Sequence, residues 1–388
     1  MKIAIEAQRI FRKKKHGMDI VALELIRKLQ KIDHKNEYYI LVKKDEDHKA
    51  LKETGNFHIV ELPGAPYPLW EQYYLPKAVK KIAPDLLHCT SNTAPLKVNA
   101  PLVLTLHDIL YMQKIDLTRG SWYQRIGNLY RKWLVPKIVH SCKTIITVSD
   151  FEKKEIDRQF HFEEDKVKTV YNAFNPGFKP ITDLKALTVY KKKYHLPERY
   201  LLFLGNTHPN KNMRTVLMAL SRLHREHAIP IPLVMPDVDE GFLNKTLHEI
   251  NDPGLKDKIL LTGYVPNHEL VYIYNLATVF LYPSFYESFG IPMLEAMSCG
   301  VPVIASNRAA MPEVSGGAAL PVNPESAEEM AIAIRRLLTE ETLYESCKNA
   351  GLKRASSFSW TLTAFEVLDI YYKIVQPRKT IRPQNATI

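Results

Sequence analysis

The stretch at residues 278–306, TVFLYPSFYESFGIPMLEAMSCGVPVIAS, most constrains what this chain can fold into, because it places two apolar segments around a helical pattern. The β-branched and aromatic residues 278–282 predict a buried strand, and residues 301–305 predict another. Between them, Pro292 fits the first position of a helix, and Gly300 fits the left-handed residue that follows one. We therefore predict a strand, a loop, a helix and a second strand, the unit from which parallel sheets are built.

The loop and the first helical turn of this stretch form a candidate phosphate site. Backbone N–H groups at the start of a helix bind phosphate, and Gly290 lets a ligand approach the backbone closely. Two carboxylates flank that position, Glu287 in the loop and Glu295 in the predicted first turn, with seven residues between them. Carboxylates accept hydrogen bonds from sugar hydroxyls, so this arrangement predicts a nucleotide joined to a sugar. The alternative is that Glu295 complements the helix dipole and that Glu287 is a solvated loop residue.

The residues ESFGIPMLE, from Glu287 to Glu295, and the AMSCGVPVIAS that follows them resemble the E-x7-E signature of the retaining glycosyltransferases of family four. The resemblance implies an α/β protein of the GT-B fold, with two Rossmann-like domains whose parallel sheets face each other across a cleft. It also implies a C-terminal helix that crosses back to the first domain. The acceptor-binding domain is predicted at residues 1–178, together with the helix at about 361–376. The nucleotide-sugar-binding domain is predicted at residues 179–360, and residues 377–388 are predicted to be a flexible tail.

Short apolar strands separated by helices fill the rest of the chain, which is typical of parallel sheets covered on both faces. The predicted strands of the first half are 2–6, 38–42, 57–62, 86–89, 102–106, 144–148 and 168–171, and its predicted helices are 19–32, 70–82 and 122–140. The predicted strands of the second half are 200–204, 232–235, 258–261, 278–282, 301–305 and 316–321. Asn, Gly and Pro interrupt the pattern at residues 170–180, where we predict the linker between the domains. Ligands bind beyond the carboxyl ends of parallel strands, so we expect function in the loops there.

Length and composition set the broad class. A chain of 388 residues, 46% of them hydrophobic, can bury two cores. Its four cysteines have neither metal spacing nor the pattern of a disulfide framework, which favours a reducing cytosol. The first residues predict a strand and not a signal peptide, and no apolar run approaches the roughly 18 residues that a spanning helix needs. We therefore expect a cytoplasmic protein.

Positive charge is concentrated in the first half. The formal net charge is +11, and residues 1–180 hold 31 Lys and Arg against 21 Asp and Glu. No nucleic-acid motif accompanies this charge, so the favoured partner is the anionic inner face of the cell membrane or a lipid-phosphate acceptor. Residues 122–140 have two interpretations, an interfacial membrane helix or an ordinary core face. Their apolar stripe is Trp122, Ile126, Leu129, Trp133 and Val139, and the interleaved basic residues are Arg125, Arg131, Lys132 and Lys137.

The family resemblance gives a role to residues in two further loops. His107 follows the predicted strand at 102–106, and the resemblance implies a histidine beside the donor sugar; a structural histidine is the alternative. The loop from Gly205 through Asn206 to Lys211 is a candidate diphosphate clamp, because a lysine and the N–H groups of a helix start act together on phosphate. The resemblance implies that Lys211 neutralises the leaving diphosphate; an exposed lysine at a helix start is the alternative.

The chain departs from its implied relatives in two loops. Many of them carry an arginine in the clamp loop, where this chain has Asn206 and Asn210, and Arg308 or Arg9 could supply the missing charge. The basic loop that ends at Gly17 lacks their glycine pair, so it is either a reduced ligand loop or a solvated basic loop.

The remaining predicted contacts concern the nucleotide. The resemblance implies that the base lies against a turn after the strand at 258–261, and the alternative is a simple connecting turn. The base-contact candidates are Gly263, Tyr264 and Val265, and the other donor-contact candidates are Ser288, Phe289, Gly290 and Ile291. Asp237 and Asp239 match a metal-binding D-x-D pattern but lack its single-domain context, so we predict a solvated turn there.

These predictions combine into one reaction. We expect a hexose to move from a nucleotide-diphosphate sugar to a glycan or lipid-linked acceptor in the synthesis of a surface polysaccharide such as lipopolysaccharide. The resemblance implies retention at the anomeric carbon, and we expect no metal ion and no cofactor other than the donor. The predicted catalytic residues are His107, Glu287 and Lys211, with Glu295 on the ribose. The alternatives are a nucleotide-sugar epimerase of the same fold and a catalytically inactive binding protein. The base, the sugar and the acceptor stay open at this point.

Overall fold

The computed structural model describes residues 1–112, 122–162, 165–205, 208–226 and 231–376. They divide into two compact units. The first unit is Met1–Tyr171 with the chain from Trp360 onward, and the second unit is Asn172–Ser359. The change from one unit to the other lies within residues 170–180, where Asn, Gly and Pro interrupt the strand and helix pattern.

The first unit is built on a parallel sheet of seven strands in the order β3-β2-β1-β4-β5-β6-β7. Its strands are β1 (Lys2–Glu6), β2 (Glu37–Lys43), β3 (Phe57–Leu62), β4 (Leu86–Cys89), β5 (Leu102–Thr105), β6 (Thr144–Thr147) and β7 (Val167–Thr169). Its helices before the second unit are α1 (Gly17–Ile32), α2 (Tyr67–Leu69), α3 (Leu75–Ile82), α4 (Trp122–Ile138) and α5 (Asp150–Phe160).

Both faces of this sheet are buried. Ile3 and Ile5 of β1 belong to one hydrophobic core, and Ala4 between them belongs to another. Successive side chains of a strand point to opposite faces, so each core fills one side of the sheet. The prediction of a parallel sheet covered on both faces is therefore confirmed.

The predicted helix at 70–82 is correct only in its second half. A π-helical turn, Trp70–Tyr74, joins α2 to α3. Such turns are rare and frequently occur at functional sites, because the wider turn redirects side chains. Here the turn directs both Trp70 and Glu71 into the interior, where each is at most 1% exposed.

The second unit contains a parallel sheet of six strands in the order β10-β9-β8-β11-β12-β13. Its strands are β8 (Leu201–Leu202), β9 (Leu233–Met235), β10 (Ile259–Leu261), β11 (Val279–Tyr282), β12 (Val303–Ser306) and β13 (Leu320–Val322). Its helices are α6 (Leu184–Lys193), α7 (Met213–Arg225), α8 (Glu240–Glu249), α9 (Leu270–Leu276), α10 (Ile291–Ser298), α11 (Met311–Ser315), α12 (Ala327–Thr339) and α13 (Glu341–Ala355).

The strand order of the second sheet reverses between β8 and β11. The chain runs outward from β8 to β10 and then returns to place β11 on the other side of β8. A reversal of this kind leaves a crevice beyond the carboxyl ends of the two strands, which is where doubly wound sheets bind ligands. The loops after β8 and β11 carry Lys211 and Glu287, so the topology brings these two predicted residues to the same crevice.

The predicted strands of the second half are longer than the observed ones, and two of them are longer by three residues. The strand predicted at 200–204 is reduced to the two residues of β8. The strand predicted at 316–321 begins only at Leu320, because Gly316 and Gly317 adopt φ angles of +55° and +80° in a turn. Positive φ angles are incompatible with a strand, and glycine adopts them at little cost.

The last helix, α14 (Trp360–Val375), belongs to the first unit and packs against α1. Its Tyr371 hydroxyl lies 2.6 Å from Nδ1 of the buried His88 on β4, and its Thr363 hydroxyl donates to the carbonyl of Tyr171 at 2.7 Å. Burial lowers the pKa of His88 to about 3, so this histidine is neutral. The predicted return of the C-terminal helix to the first domain therefore has buried polar contacts as well as apolar packing.

Candidate active site

The centre of the candidate site is an ion pair between the loops that follow β8 and β11. Lys211 Nζ lies 2.7 Å from Glu287 Oε1, and the two side chains are 24% and 19% exposed. The ammonium group also lies 5.3 Å from the ring centroid of Tyr282, the last residue of β11. Glu287 is thus neither a solvated loop residue nor far from the predicted clamp lysine, and the alternative interpretation of Glu287 is wrong.

Backbone contacts hold the two loops together. Lys211 ends a single 3₁₀ turn, and Asn212 follows in the left-handed conformation with φ +61°. The Asn212 side-chain amide donates to the carbonyls of Pro283 and Pro324 at 3.0 and 2.6 Å. The Phe285 N–H donates to the carbonyl of Asn210 at 2.8 Å. These bonds fix the backbone on both sides of the lysine and so orient its ammonium group.

Gly290 starts α10 in a conformation that only glycine adopts readily. Its φ is +95°, and a Cβ at this position would lie 2.7 Å from Met311 Cε. Pro292 is the second residue of α10 and not the first, which corrects the predicted position by one residue. Because Pro292 has no N–H and the Met293 N–H donates to the Gly290 carbonyl at 3.0 Å, the N–H groups of Gly290 and Ile291 are the ones that this helix start presents to a ligand.

Glu295 is the fifth residue of α10, so the prediction that it lies in the first turn is wrong. A carboxylate in the second turn is a poor complement to the helix dipole, which acts over the first turn. Its side chain is buried, and the Tyr274 hydroxyl donates to Oε2 at 3.3 Å. Burial raises the pKa of Glu295 to about 7, and the Tyr274 bond only partly offsets that effect. Glu295 is therefore a carboxyl group poised to gain or lose a proton near neutral pH.

The predicted base turn lies after β10 and is tied to the turn after β9. The Gly263 carbonyl accepts from the Asp237 N–H at 2.9 Å and from the Thr262 hydroxyl at 3.1 Å. Tyr264 is 61% exposed, whereas Val265 is buried. The Gly263 carbonyl is consequently already in use, and of the two side chains only that of Tyr264 is exposed.

The remaining donor-contact candidates differ in their accessibility. Gly205 is required by packing, because a Cβ there would lie 1.9 Å from Phe203 Cε1. Phe289 is buried edge-to-face against Phe358, with ring centroids 5.7 Å apart, so its side chain serves the core. Ser288 and Ile291 are half-buried beside the start of α10. Asn206 lies outside the described residues.

The two arginines proposed as substitutes for the missing loop charge have other partners here. Arg308 donates to Glu325 Oε2 at 2.7 Å on the surface. Arg9 lies in the first unit, with its guanidinium 4.8 Å from the ring centroid of Tyr67. Among the described residues, Arg308 makes no contact with Lys211 or Glu287, so the substitution stays a prediction.

His107 lies in the first unit, two residues after the end of β5, and is buried. Its Nε2 lies 3.0 Å from the carbonyl of Thr90, and its own N–H donates to the Asn92 side chain at 2.6 Å. A carbonyl only accepts, so Nε2 carries the ring proton and Nδ1 is left as an acceptor. Burial lowers the pKa of His107 and keeps the ring neutral. Asp108 caps the short turn that follows by accepting from the Leu110 N–H at 3.1 Å.

Two family models match the chain. The model described as "Glycosyltransferase Family 4" matches residues 16–178, and the model described as "Glycosyl transferases group 1" matches residues 189–354. The chain is also 33% identical over 270 residues to the O-antigen chain mannosyltransferase B of Escherichia coli, an alignment that covers 69% of each chain. The chain belongs to glycosyltransferase family 4.

A further relative supports the family, and a solved structure supports its GT-B fold. The serotype-specific mannosyltransferase WbdA of Escherichia coli is 29% identical over 78% of this chain, which spans only 38% of that longer protein. The crystal structure of Anabaena Alr3699/HepE in complex with UDP and glucose matches with a TM-score of 0.72 at 18% identity, covering 96% of this chain and all of that one. At that identity the structural match concerns the fold alone.

A buried acidic cluster of this family 4 chain was not predicted from its sequence. Glu71 accepts from the hydroxyls of Tyr67 and Tyr130 at 2.9 and 2.6 Å and from Thr93. Nearby, burial raises the pKa of Glu6, the last residue of β1, to about 7. A glutamate that ends an apolar strand was a detectable signal for Glu6. Glu71 had no such signal, because it lies in a π-helical turn that the sequence pattern did not predict.

The exposed face of α4 settles which of its residues belong to the core. Ile126, Leu129 and Trp133 of α4 are 60%, 53% and 50% exposed, while Val139, directly after the helix, is buried. The ammonium group of Lys137 lies 3.8 Å from the Trp133 ring centroid. The side chain of Trp122 is outside the described part of the structure. The core-face interpretation is therefore wrong for three of the five predicted stripe residues.

The described residues contain neither a cluster of metal ligands nor a membrane-spanning helix. They contain no group of three or more His, Cys, Asp or Glu side chains arranged to hold a metal ion. Within the same residues, no helix has both the length and the apolar character needed to span a bilayer. Asp239, one half of the D-x-D pattern, instead caps α8 by accepting from the Phe242 N–H at 2.7 Å.

Proposed function

We propose that this chain is a retaining mannosyltransferase that transfers mannose from a nucleotide-diphosphate sugar to a glycan or lipid-linked acceptor of a cell-surface polysaccharide. The names of both Escherichia coli relatives support the sugar, and the name O-antigen chain mannosyltransferase B supports the pathway class. The observation that carries the proposal is the Lys211–Glu287 pair beside the start of α10, at the reversal of the strand order. That crevice offers a cation, two backbone N–H groups and acidic acceptors to one ligand.

The first chemical requirement is stabilisation of the departing diphosphate. Its negative charge grows as the glycosidic bond breaks, and preorganised donors aimed at that charge lower the barrier. Lys211 and the N–H groups of Gly290 and Ile291 would supply them. A diphosphate is already a good leaving group, so no strong general acid is needed, and we propose that the reaction proceeds without a metal ion.

The second requirement is a fixed pose of the sugar and the ribose. An ionised carboxylate has about four acceptor positions and can hold a pair of neighbouring hydroxyls. Lys211 uses part of the acceptor capacity of Glu287, and the rest would be available to the donor sugar. Glu295 would hold the ribose hydroxyls, because it lies one turn further along α10 from the phosphate-binding N–H groups.

The first unit would bind the acceptor and contribute His107. Nε2 of this neutral ring donates to the Thr90 carbonyl, so only Nδ1 is available to the donor, as an acceptor for a sugar hydroxyl. We therefore propose a positioning role for His107 rather than proton transfer to the leaving group.

The experiment is an incubation of the full chain with nucleotide-diphosphate mannose or glucose, with and without a lipid-linked oligosaccharide acceptor. We expect an α-mannoside from an α-configured donor only when the acceptor is present, with activity unaffected by EDTA. Formation of an altered nucleotide sugar without acceptor would instead favour the epimerase. Donor binding without any product in either incubation would favour the inactive binding protein.

We further propose that α4 contacts an anionic membrane surface through Ile126, Leu129 and Trp133. Apolar side chains on one exposed helix face with lysines beside them match an interfacial helix, which inserts its apolar groups and pairs its basic groups with lipid phosphates. The proposed acceptor is lipid-linked, so such contact would bring the first unit to it.

A further inference from the structure

Asp237 is an exposed carboxylate at the end of β9 with no structural task of its own. It adopts the left-handed conformation, with φ +55°, in the turn that leads to α8. Within the described residues, its carboxylate has neither a hydrogen bond nor an ion pair. Asp239, two positions later, differs because its carboxylate caps α8. Asp237 therefore has an acceptor to offer to a ligand, whereas Asp239 does not.

The backbone of Asp237 is bonded to the turn predicted to hold the base. Its N–H donates to the Gly263 carbonyl at 2.9 Å, and the Thr262 hydroxyl donates to the same oxygen at 3.1 Å. A carbonyl oxygen has two lone pairs, so both are occupied. A base with N–H donors at this turn must find another acceptor, and the side chain of Asp237 starts at the residue bonded to Gly263.

The distance from the proposed diphosphate site to the turn at Gly263 suits a nucleotide. The loops after β8 and β10 are two strand spacings apart, or about 10 Å, which is comparable to the length of a ribose and a base. Glu295, the proposed ribose contact, is bonded to Tyr274 of α9, the helix that follows the Gly263 turn. The nucleotide would thus extend from the start of α10 toward the turn that joins Gly263 to Asp237.

The chemistry of a carboxylate selects among bases. Its oxygens only accept, and guanine alone presents two adjacent N–H donors on one edge, at N1 and at the 2-amino group. Adenine and cytosine pair one donor with one acceptor there, and uracil has a single N–H between two carbonyls. We propose that Asp237 is the base-selecting residue of this chain and that it accepts from N1–H and the 2-amino group of a guanosine diphosphate. This inference rests on the proposed nucleotide-sugar function.

The test compares nucleoside diphosphates that differ only at the base edge. Calorimetry of the full chain would measure the affinities for GDP, for inosine diphosphate, which lacks the 2-amino group, and for UDP. We expect GDP to bind about tenfold or more tightly than inosine diphosphate, because one hydrogen bond to a charged acceptor is lost. In Asp237→Asn, which keeps a residue tolerant of the left-handed backbone, that ratio should fall close to one.

Asp239→Asn is the matched control, since asparagine also caps a helix, and it should keep the wild-type ratio. An unchanged ratio of GDP to inosine diphosphate affinity in Asp237→Asn, or tighter binding of UDP than of GDP by the wild type, would overturn the role of Asp237 and leave the proposed function standing. Failure of the wild type to bind any of the three would overturn the proposed function itself.

Discussion

The ammonium group of Lys211 lies 2.7 Å from the carboxylate of Glu287, although the two residues are 76 positions apart in the chain. The pair joins the two loops at the strand-order reversal and is mostly shielded from water. A lysine has three N–H donors, so it can keep Glu287 and still bind a phosphate oxygen. The diphosphate and the donor sugar would then be held by groups that act as one unit.

Substitution of this pair should be strongly non-additive. We expect Lys211→Ala to lower turnover well over tenfold, because it removes the cation and leaves the Glu287 charge beside the diphosphate. The double variant Lys211→Ala with Glu287→Gln should lose less than the product of the two single effects, with a coupling of about 1 kcal/mol or more. Steady-state kinetics of the wild type, the two single variants and the double variant measures this coupling. Lys256→Ala, which breaks the Lys256–Glu240 pair of the same unit, should leave turnover unchanged. Additive effects, or full activity in Lys211→Ala, would remove the proposed clamp.

Donor binding should depend on the protonation of Glu295. With its pKa at about 7, roughly a tenth of this carboxyl group is ionised at pH 6, and the neutral form accepts fewer hydrogen bonds from a ribose. We expect nucleotide-sugar affinity to fall about tenfold from pH 8 to pH 6. In Glu295→Gln the nucleotide-sugar affinity should be lower than in the wild type and nearly independent of pH. Glu6→Gln is the control, because it removes a carboxyl group of similar pKa in the first unit. It should keep the wild-type dependence of affinity on pH. A flat wild-type profile would contradict the role of Glu295.

The same carboxyl group should make stability depend on pH. Between its ordinary pKa of 4.5 and its folded value of about 7, the folded chain holds a proton that the unfolded chain releases. The free energy of unfolding therefore falls as pH rises through this window, by on the order of 3 kcal/mol. Glu295→Gln lacks this contribution, so its melting temperature should exceed that of the wild type more at pH 8 than at pH 5. An equal difference at both values would show that the charge on Glu295 carries no such cost.

Gly290 at the start of α10 is required for two reasons, its positive φ and the lack of space for a Cβ. Alanine variants at three glycines distinguish these two effects. Gly290→Ala should destabilise the second unit by about 2 kcal/mol or more, because it combines positive φ with a contact to Met311. Gly263→Ala has positive φ but open space and should cost about 1 kcal/mol. Gly17 has neither a positive φ nor a close neighbour, so Gly17→Ala should leave the free energy of unfolding unchanged or raise it slightly. Denaturant unfolding gives the three values, and equal costs at Gly290 and Gly17 would contradict the strained helix start.

Recruitment to vesicles tests the exposed face of α4. Anionic vesicles should bind the wild type more tightly than neutral ones, and the double variant Ile126→Ser, Trp133→Ser should lose most of that binding. Ile332→Ser is the matched control, since Ile332 is 47% exposed on α12 of the second unit. No difference between anionic and neutral vesicles would end the membrane proposal.

Local patterns in the sequence predicted much of this fold. The apolar strands and the left-handed Gly300 after α10 each depend on a few neighbouring residues. The arrangement of the site depends on residues that are far apart in the sequence. No local signal pairs Lys211 with Glu287, because the reversal of strand order brings them together. The π-helical turn that contains Glu71 had no local signal either, and it replaces the first part of the helix predicted at 70–82.

The most direct test of the central claim is a crystal structure of the full chain with a nucleotide-diphosphate sugar. The account predicts phosphate oxygens within hydrogen-bond distance of the N–H groups of Gly290 and Ile291 and of Lys211 Nζ, with the ribose hydroxyls on Glu295. A diphosphate bound away from the start of α10, with Lys211 still paired only to Glu287, would contradict it.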